Sequence, residues 1–138
     1  MRIDEHFKVA REFDTALAKL DPEADRLAVI ESLMMAGTNY MNAALHANKI
    51  TDETCDLTHS YKPKPEGWDD TKVPIPLQEL MSALHVIEKT RHRYARGIVP
   101  GQDAPELTEL SDATVQECLG HYRRIKEVVE CVFARAAG

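Results

Sequence analysis

Leu27-Ala28-Val29-Ile30-Glu31-Ser32-Leu33-Met34-Met35-Ala36-Gly37-Thr38-Asn39-Tyr40-Met41-Asn42-Ala43-Ala44-Leu45-His46-Ala47-Asn48 is the stretch on which the fold turns. Leu27, Ile30, Leu33, Met34, Gly37, Met41, Ala44 and Leu45 recur at helical spacing and define a core face. Across the whole stretch Glu31 alone is formally charged at neutral pH. The opposite face carries Ala28, Ser32, Met35, Ala36, Asn39, Ala43 and Ala47, where a half-exposed helix would carry Lys, Glu or Arg. This helix is therefore expected to be covered on both sides. A bilayer is a poor cover, because Glu31, Asn39, Asn42, His46 and Asn48 interrupt the run. Small side chains admit a close neighbour, and the expected neighbour is a second copy: a homodimer through this helix.

Outward from that stretch the apolar period stays helical, and no alternating strand pattern appears. The first helix is expected at about 3–20, with Ile3, Phe7, Ala10, Phe13, Leu17 and Leu20 along one stripe. Asp21-Pro22 makes a corner, and the second helix is expected at about 22–48. From 49 to 75 the period fails. Pro63, Pro65, Gly67 and Pro74 break that connection, while Ile50, Leu57, Tyr61 and Trp68 offer apolar anchors, so an ordered loop is expected. Within it, Asp52–His59 is expected to form one short helix capped by Thr51 or Asp52. The third helix is expected at about 76–96, ended by Gly97 and Pro100, and the fourth at about 106–135, starting after Pro105 or at Ser111. The stripe of the fourth includes Val115, Cys118, Tyr122, Ile125 and Val129. The fold class expected is all-α: an up-and-down four-helix bundle in a single domain, 1–138.

Composition bounds the partners. The chain has 138 residues, 43% hydrophobic and 29% charged, which suits one globular domain. Seventeen basic against twenty-three acidic side chains leave a net charge of −6, which argues against nucleic acid and anionic membranes as partners while leaving room for a local basic patch. Cys55, Cys118 and Cys131 are an odd set with no C-x-x-C pair, read as free thiols in a cytoplasmic protein. Cys118 and Cys131 fall on the core stripe of the fourth helix, where a thiol is inert. The first residues, Met1-Arg2-Ile3-Asp4-Glu5-His6, read as no signal peptide.

Asn39, Asn42 and His46 sit at i, i+3 and i+7 on one helical face, beside the core stripe. Three aligned hydrogen-bonding side chains make either a polar seam that sets dimer register or a pocket for a ligand. The segment Thr38-Asn39-Tyr40-Met41-Asn42-Ala43-Ala44-Leu45-His46-Ala47 resembles the motif helix of HEPN domains, small helical bundles. The resemblance implies a dimeric bundle whose motif arginine and histidine form a metal-independent ribonuclease site. His46 matches the histidine, but Asn39 stands where the arginine aligns, and a neutral amide cannot replace a guanidinium beside a developing oxyanion. What the resemblance implies is then a non-catalytic relative. Any RNA cleavage would use His46 as acid and base, with an arginine from Arg91, Arg93 or Arg96.

Other residues offer alternatives. His85, Glu88 and His92 share one edge of the third helix at spacings that can hold a transition metal. Asp56-x-x-His59 is a further pair, and joined to His46 it would make a mixed His/His/Asp site. Glu88 and Arg91 read either as a local ion pair or as a charged pocket between helices. Arg91, His92, Arg93 and Arg96, with Arg123 and Arg124, form the densest basic feature and could receive a phosphate or an acidic partner. Trp68 and His59 are the loop's candidate ligand-binding residues, and whether the 49–75 connection closes over the Asn39/Asn42/His46 face is left open by the sequence. No phosphate loop, nucleophile elbow, His-Glu-x-x-His or EF-hand run is present. The function expected is thus a non-catalytic, dimeric module binding a protein partner or small anionic ligand and calling for no cofactor. The alternatives are the ribonuclease and a metal-binding bundle.

Overall fold

Arg2 opens the first helix: its backbone N–H donates to Glu5 Oε2 at 2.8 Å, half of a capping box. The structure, a computed structural model, describes residues 1–58, 64–98, 101–103 and 108–137. Among these are four α-helices and no strand: α1 Ile3–Leu17, α2 Arg26–Ala47, α3 Ile75–Thr90 and α4 Asp112–Ala137. Tyr61, Pro63, Pro100 and Pro105 lie outside the described residues. No helix among the described residues is long and apolar enough to cross a membrane.

The helix ends differ from the sequence expectation for local reasons. Beyond Leu17 the chain tightens into i→i−3 hydrogen bonds at Lys19 and Leu20. Pro22 begins a turn rather than α2, because Asp21 Oδ1 accepts from Glu23 N and Asp25 Oδ2 accepts from Asp21 N. After Thr90 the third helix widens into a π-helical turn, Arg91–Ala95, and Gly97 follows at φ +66°. Ser111 caps α4, its Oγ accepting from Thr114 N at 3.2 Å. The short helix expected from Asp52 is not formed in 52–58, which holds one turn at Glu53 and Thr54 and is otherwise irregular. Asp52 Oδ1 accepts instead from Thr54 N in a two-residue turn, 2.9 Å, which offers the backbone an alternative to helix.

α2 is the central element. It packs against α1, α3 and α4, and α3 packs against α4. Ile30, Leu33, Met34, Met41 and Leu45 of α2 meet Leu77, Leu80, Leu84 and Ile87 of α3 and Val115, Cys118 and Ile125 of α4 in one apolar core. Gly37 marks the closest approach: a Cβ there would stand 2.7 Å from Leu84 Cδ1 and 3.5 Å from Ile125 Cδ1. Leu27, assigned to the core face, is instead 47% exposed, in the first turn of α2 beside a groove lined by Glu23, Tyr94 and Leu110.

The uncharged face of α2 is also accounted for. Ala36, Asn39 and Ala43 are buried, and the cover comes from α1 and the segment after α2. Covered from within the chain, this part of the face does not require a second copy. What remains open on α2 is its first half, where Leu27, Ala28 and Met35 are exposed. Cys131, placed on the core stripe by spacing, is exposed; Cys118 is buried, and its burial pushes the thiol above its ordinary range.

Candidate functional site

Three side chains from three separate segments converge beside the end of α2. His6 comes from the first turns of α1, His46 from the last turn of α2, and Asp56 from the loop that follows. Their ligand atoms all lie within 4.8 Å of one another, and among the described residues no other group of three metal-capable side chains does so. His6 Nε2 and His46 Nε2 each stand 2.9 Å from the same oxygen, Asp56 Oδ1. Both imidazoles are buried, with side-chain exposures of 2% and 3%, whereas Asp56 is one-third exposed at 33%. The rings are tilted at 53°, with centroids 5.3 Å apart.

Each imidazole is held from behind. His6 Nδ1 is 2.8 Å from Asn39 Oδ1, and Asn39 Nδ2 donates to the Met35 carbonyl at 2.9 Å. The second contact fixes the amide so that Oδ1 faces His6, which makes His6 Nδ1 the donor. His46 Nδ1 is 2.7 Å from Thr51 Oγ1, a hydroxyl able to accept. Asn42 docks the loop: it accepts from Leu57 N at 2.8 Å and donates to the Leu57 carbonyl at 2.8 Å. Leu57 follows Asp56 directly, so this buried amide sets the place from which the carboxylate reaches both rings.

The hydrogen count at this cluster carries a chemical consequence. With His6 Nδ1 donating to Asn39, a neutral His6 presents a lone pair at Nε2 to a carboxylate oxygen that also only accepts. A second proton or a metal ion must stand between them. Although burial pushes the Asp56 carboxyl upward, hydrogen bonds from His46, His6 and the Met1 amino group hold it below the ordinary carboxylate range. The cluster therefore holds an ionised carboxylate whose Oδ2 pairs with the Met1 ammonium at 3.1 Å, while its Oδ1 faces the two rings. For zinc, ligand bonds near 2.0–2.1 Å in tetrahedral array place donor atoms about 3.3 Å apart, so each 2.9 Å pair would open by a few tenths of an ångström.

The sequence-derived candidates divide cleanly. Asn39, Asn42 and His46 belong to this cluster, Asn39 and Asn42 as the supports of His6 and of the loop. Asp56 meets His46, a convergence that spacing alone does not fix; His59, the third member of that set, lies outside the described residues. His6 was missed, although it lies on the inner stripe of α1, three residues after Ile3 and four before the buried Ala10. Trp68 sits elsewhere, donating from Nε1 to Asp70 Oδ1 at 2.7 Å with Lys64 over its ring. His85 Nδ1 stands 3.6 Å from Glu88 Oε2 on α3, but with His92 these do not converge as a ligand set. Arg91 does not pair with Glu88: its Nε donates across to Glu31 Oε2 on α2 at 2.8 Å. Of the basic cluster, Arg124 is engaged by Glu79 and Glu127.

A cavity of about 640 Å³ adjoins the cluster, bordered by His46, Thr51 and Cys55 together with Arg2 and Lys49. A second carboxylate, Asp14 of α1, accepts from the hydroxyls of Tyr40 and Tyr122 and lies 3.4 Å from Lys126 Nζ. Burial first and the Asp14 contact second push both phenols above their ordinary range, so both stay protonated donors. Compared with models of known families, with curated proteins and with solved structures, the chain matches none.

Proposed function

We propose that this protein binds one divalent transition-metal ion, zinc by preference, through His6 Nε2, His46 Nε2 and Asp56. The observation that carries the reading is the pairing of two buried imidazoles with one carboxylate oxygen at 2.9 Å, each ring held at Nδ1 by an oxygen. Metal-bound histidines commonly donate their other ring N–H to such an acceptor, which fixes the tautomer and raises ligand basicity. Nitrogen and carboxylate donors in this ratio suit zinc better than calcium or magnesium, which take oxygen ligands.

All three ligands come from one chain, so the reading needs no dimer. It replaces partner binding through α2 with the metal-binding bundle first weighed from His46, Asp56 and His59, now with His6 as the second imidazole. It also sets aside His46 as the acid and base of a ribonuclease, since Nε2 is committed to Asp56 and Arg91 to Glu31. The fold that goes with it is an up-and-down bundle, supported by the sequential pairs α1 with α2 and α3 with α4. The three unpaired thiols support a reducing compartment.

The test is a calorimetric zinc titration of protein stripped with EDTA, beside His6→Gln and His46→Gln. The expected result is one ion per chain, with affinity falling about 100-fold or more in either variant, the upper end of what even outer supports of a metal site carry. No zinc uptake, or equal uptake by the wild type and both variants, overturns the reading.

A further inference from the structure

We infer that the ion held by His6, His46 and Asp56 takes a small oxyanion, a carboxylate or a phosphate, in the cavity beside His46, with one oxygen on the metal and another on Lys49. This rests on the metal reading above and names the ligand class of that site. Three protein donors leave a tetrahedral ion one position for an outside ligand. The adjoining cavity, about 640 Å³, has His46 on its border and is large enough for a small organic anion. The local charge favours that sign of ligand: a divalent ion beside one carboxylate keeps a net positive charge.

Lys49 is the residue that singles out this wall. It has φ +58°, the only positive φ at a non-glycine position among the described residues. It stands just past α2, where Ile50 N closes back onto the Leu45 carbonyl at 3.0 Å, the kind of helix end that normally takes glycine. Keeping a lysine there costs backbone strain, and strain held at a cavity bordered by His46 points to a role for the side chain. Arg2 borders the same cavity, but its guanidinium is engaged by Asp4 at 3.0 Å and faces Glu5 at 3.8 Å, so Lys49 is the principal cation. Two acids also border the cavity. Asp52 is occupied by Thr54, whose N–H and hydroxyl both donate to its Oδ1. Glu53 is exposed at the rim.

Cobalt-loaded protein tests this directly, because its visible absorption reports what enters the coordination sphere. Inorganic phosphate and acetate are titrated separately into the wild type, Lys49→Gln and Lys49→Gly. The expected result is a saturable spectral change with at least one anion, weakened roughly tenfold in both variants, as for a lost charge-assisted hydrogen bond. Lys49→Gly should also unfold no earlier than the wild type, since glycine adopts the left-handed conformation freely. That combination separates ligand binding from a structural role. A spectrum unmoved by either anion, or equal affinity in all three proteins, overturns this inference while leaving the metal reading intact. Failure to take up cobalt overturns both.

Discussion

Replacing Asn42 with alanine should cost this protein about 1.5–3 kcal/mol, and the figure follows from what the side chain holds. Asn42 is 2% exposed and pairs with both backbone polar groups of Leu57, itself 5% exposed. Alanine leaves a buried N–H and a buried carbonyl without partners, each worth about 1–3 kcal/mol, which bounds the loss at about 2–6 kcal/mol if nothing moves. The loop has a cheaper escape. It can lift, hydrate the Leu57 peptide and give up the burial of one leucine side chain, about 1.5–3 kcal/mol. The cheaper route sets the cost. For a chain of this length it lowers the thermal midpoint by roughly 5–10 °C. The assay is urea unfolding followed by circular dichroism, with EDTA present so that bound metal does not enter the comparison. Asn48→Ala is the control. Asn48 makes a similar local bond, Nδ2 to the Ala44 carbonyl at 2.9 Å, but is exposed, and should change stability by no more than about 0.5 kcal/mol. An Asn42→Ala protein indistinguishable from that control would refute the docking argument. With metal present, the same variant should bind zinc about 10–100-fold more weakly, because Asp56 loses its anchor.

Acid should act through Asp56. Its carboxyl sits below the ordinary range in the folded chain, so the stability it adds is fully present above the unfolded value of about 3.9 and is lost as pH falls through the lower folded value. Urea midpoints measured from neutral pH down through that window should fall less steeply for Asp56→Asn than for the wild type; parallel curves would contradict the shift. Asp14→Ala should destabilise by about 2–4 kcal/mol, since the largely buried hydroxyls of Tyr40 and Tyr122 lose their shared acceptor, while Tyr40→Phe should cost about 1 kcal/mol. Thermal unfolding of the two variants checks the order, and a Tyr40→Phe protein weaker than Asp14→Ala would reverse it. Saturating EDTA-stripped protein with zinc to about a hundredfold over its dissociation constant should add about 2.7 kcal/mol, close to 9 °C in midpoint; an unchanged midpoint would speak against a folded-state metal site.

Much of the helical layout was legible because burial imposes a period. Ile30, Leu33, Met34, Met41 and Leu45 lie where their spacing puts them, and so do Val115, Cys118 and Ile125. The uncharged face of α2 is covered at Ala36, Asn39 and Ala43 but open at Ala28 and Met35, and spacing within one helix says nothing about what provides the cover. Here it is the chain's own α1 and the segment carrying Leu57. Periodicity placed Cys131 inward, yet it is exposed on the side of α4 that carries Arg124 and Glu127, while Val132 and Phe133 beside it still pack against the core. Glu88 and Arg91 are three apart, which suggests a local pair, but Glu31 on the neighbouring helix offers Arg91 the better acceptor.

The candidate site was half legible. His46, Asn39 and Asn42 share a face of one helix, so their alignment could be read directly. The partner of Asn42 is a backbone peptide, which leaves no trace in side-chain spacing. Asp56 belongs to a stretch without period, so its place depends on how the loop docks. His6 carried a usable signal, a histidine on an otherwise apolar stripe, but its partners lie 33 to 50 residues away in the chain.

X-ray absorption at the zinc edge of the reconstituted protein tests the central claim most directly. The account predicts two imidazole nitrogens with their characteristic outer-ring scattering, completed by oxygen donors at about 2.0–2.2 Å, and no sulfur. A shell containing a sulfur neighbour at about 2.3 Å, or one without imidazole scattering, would contradict it.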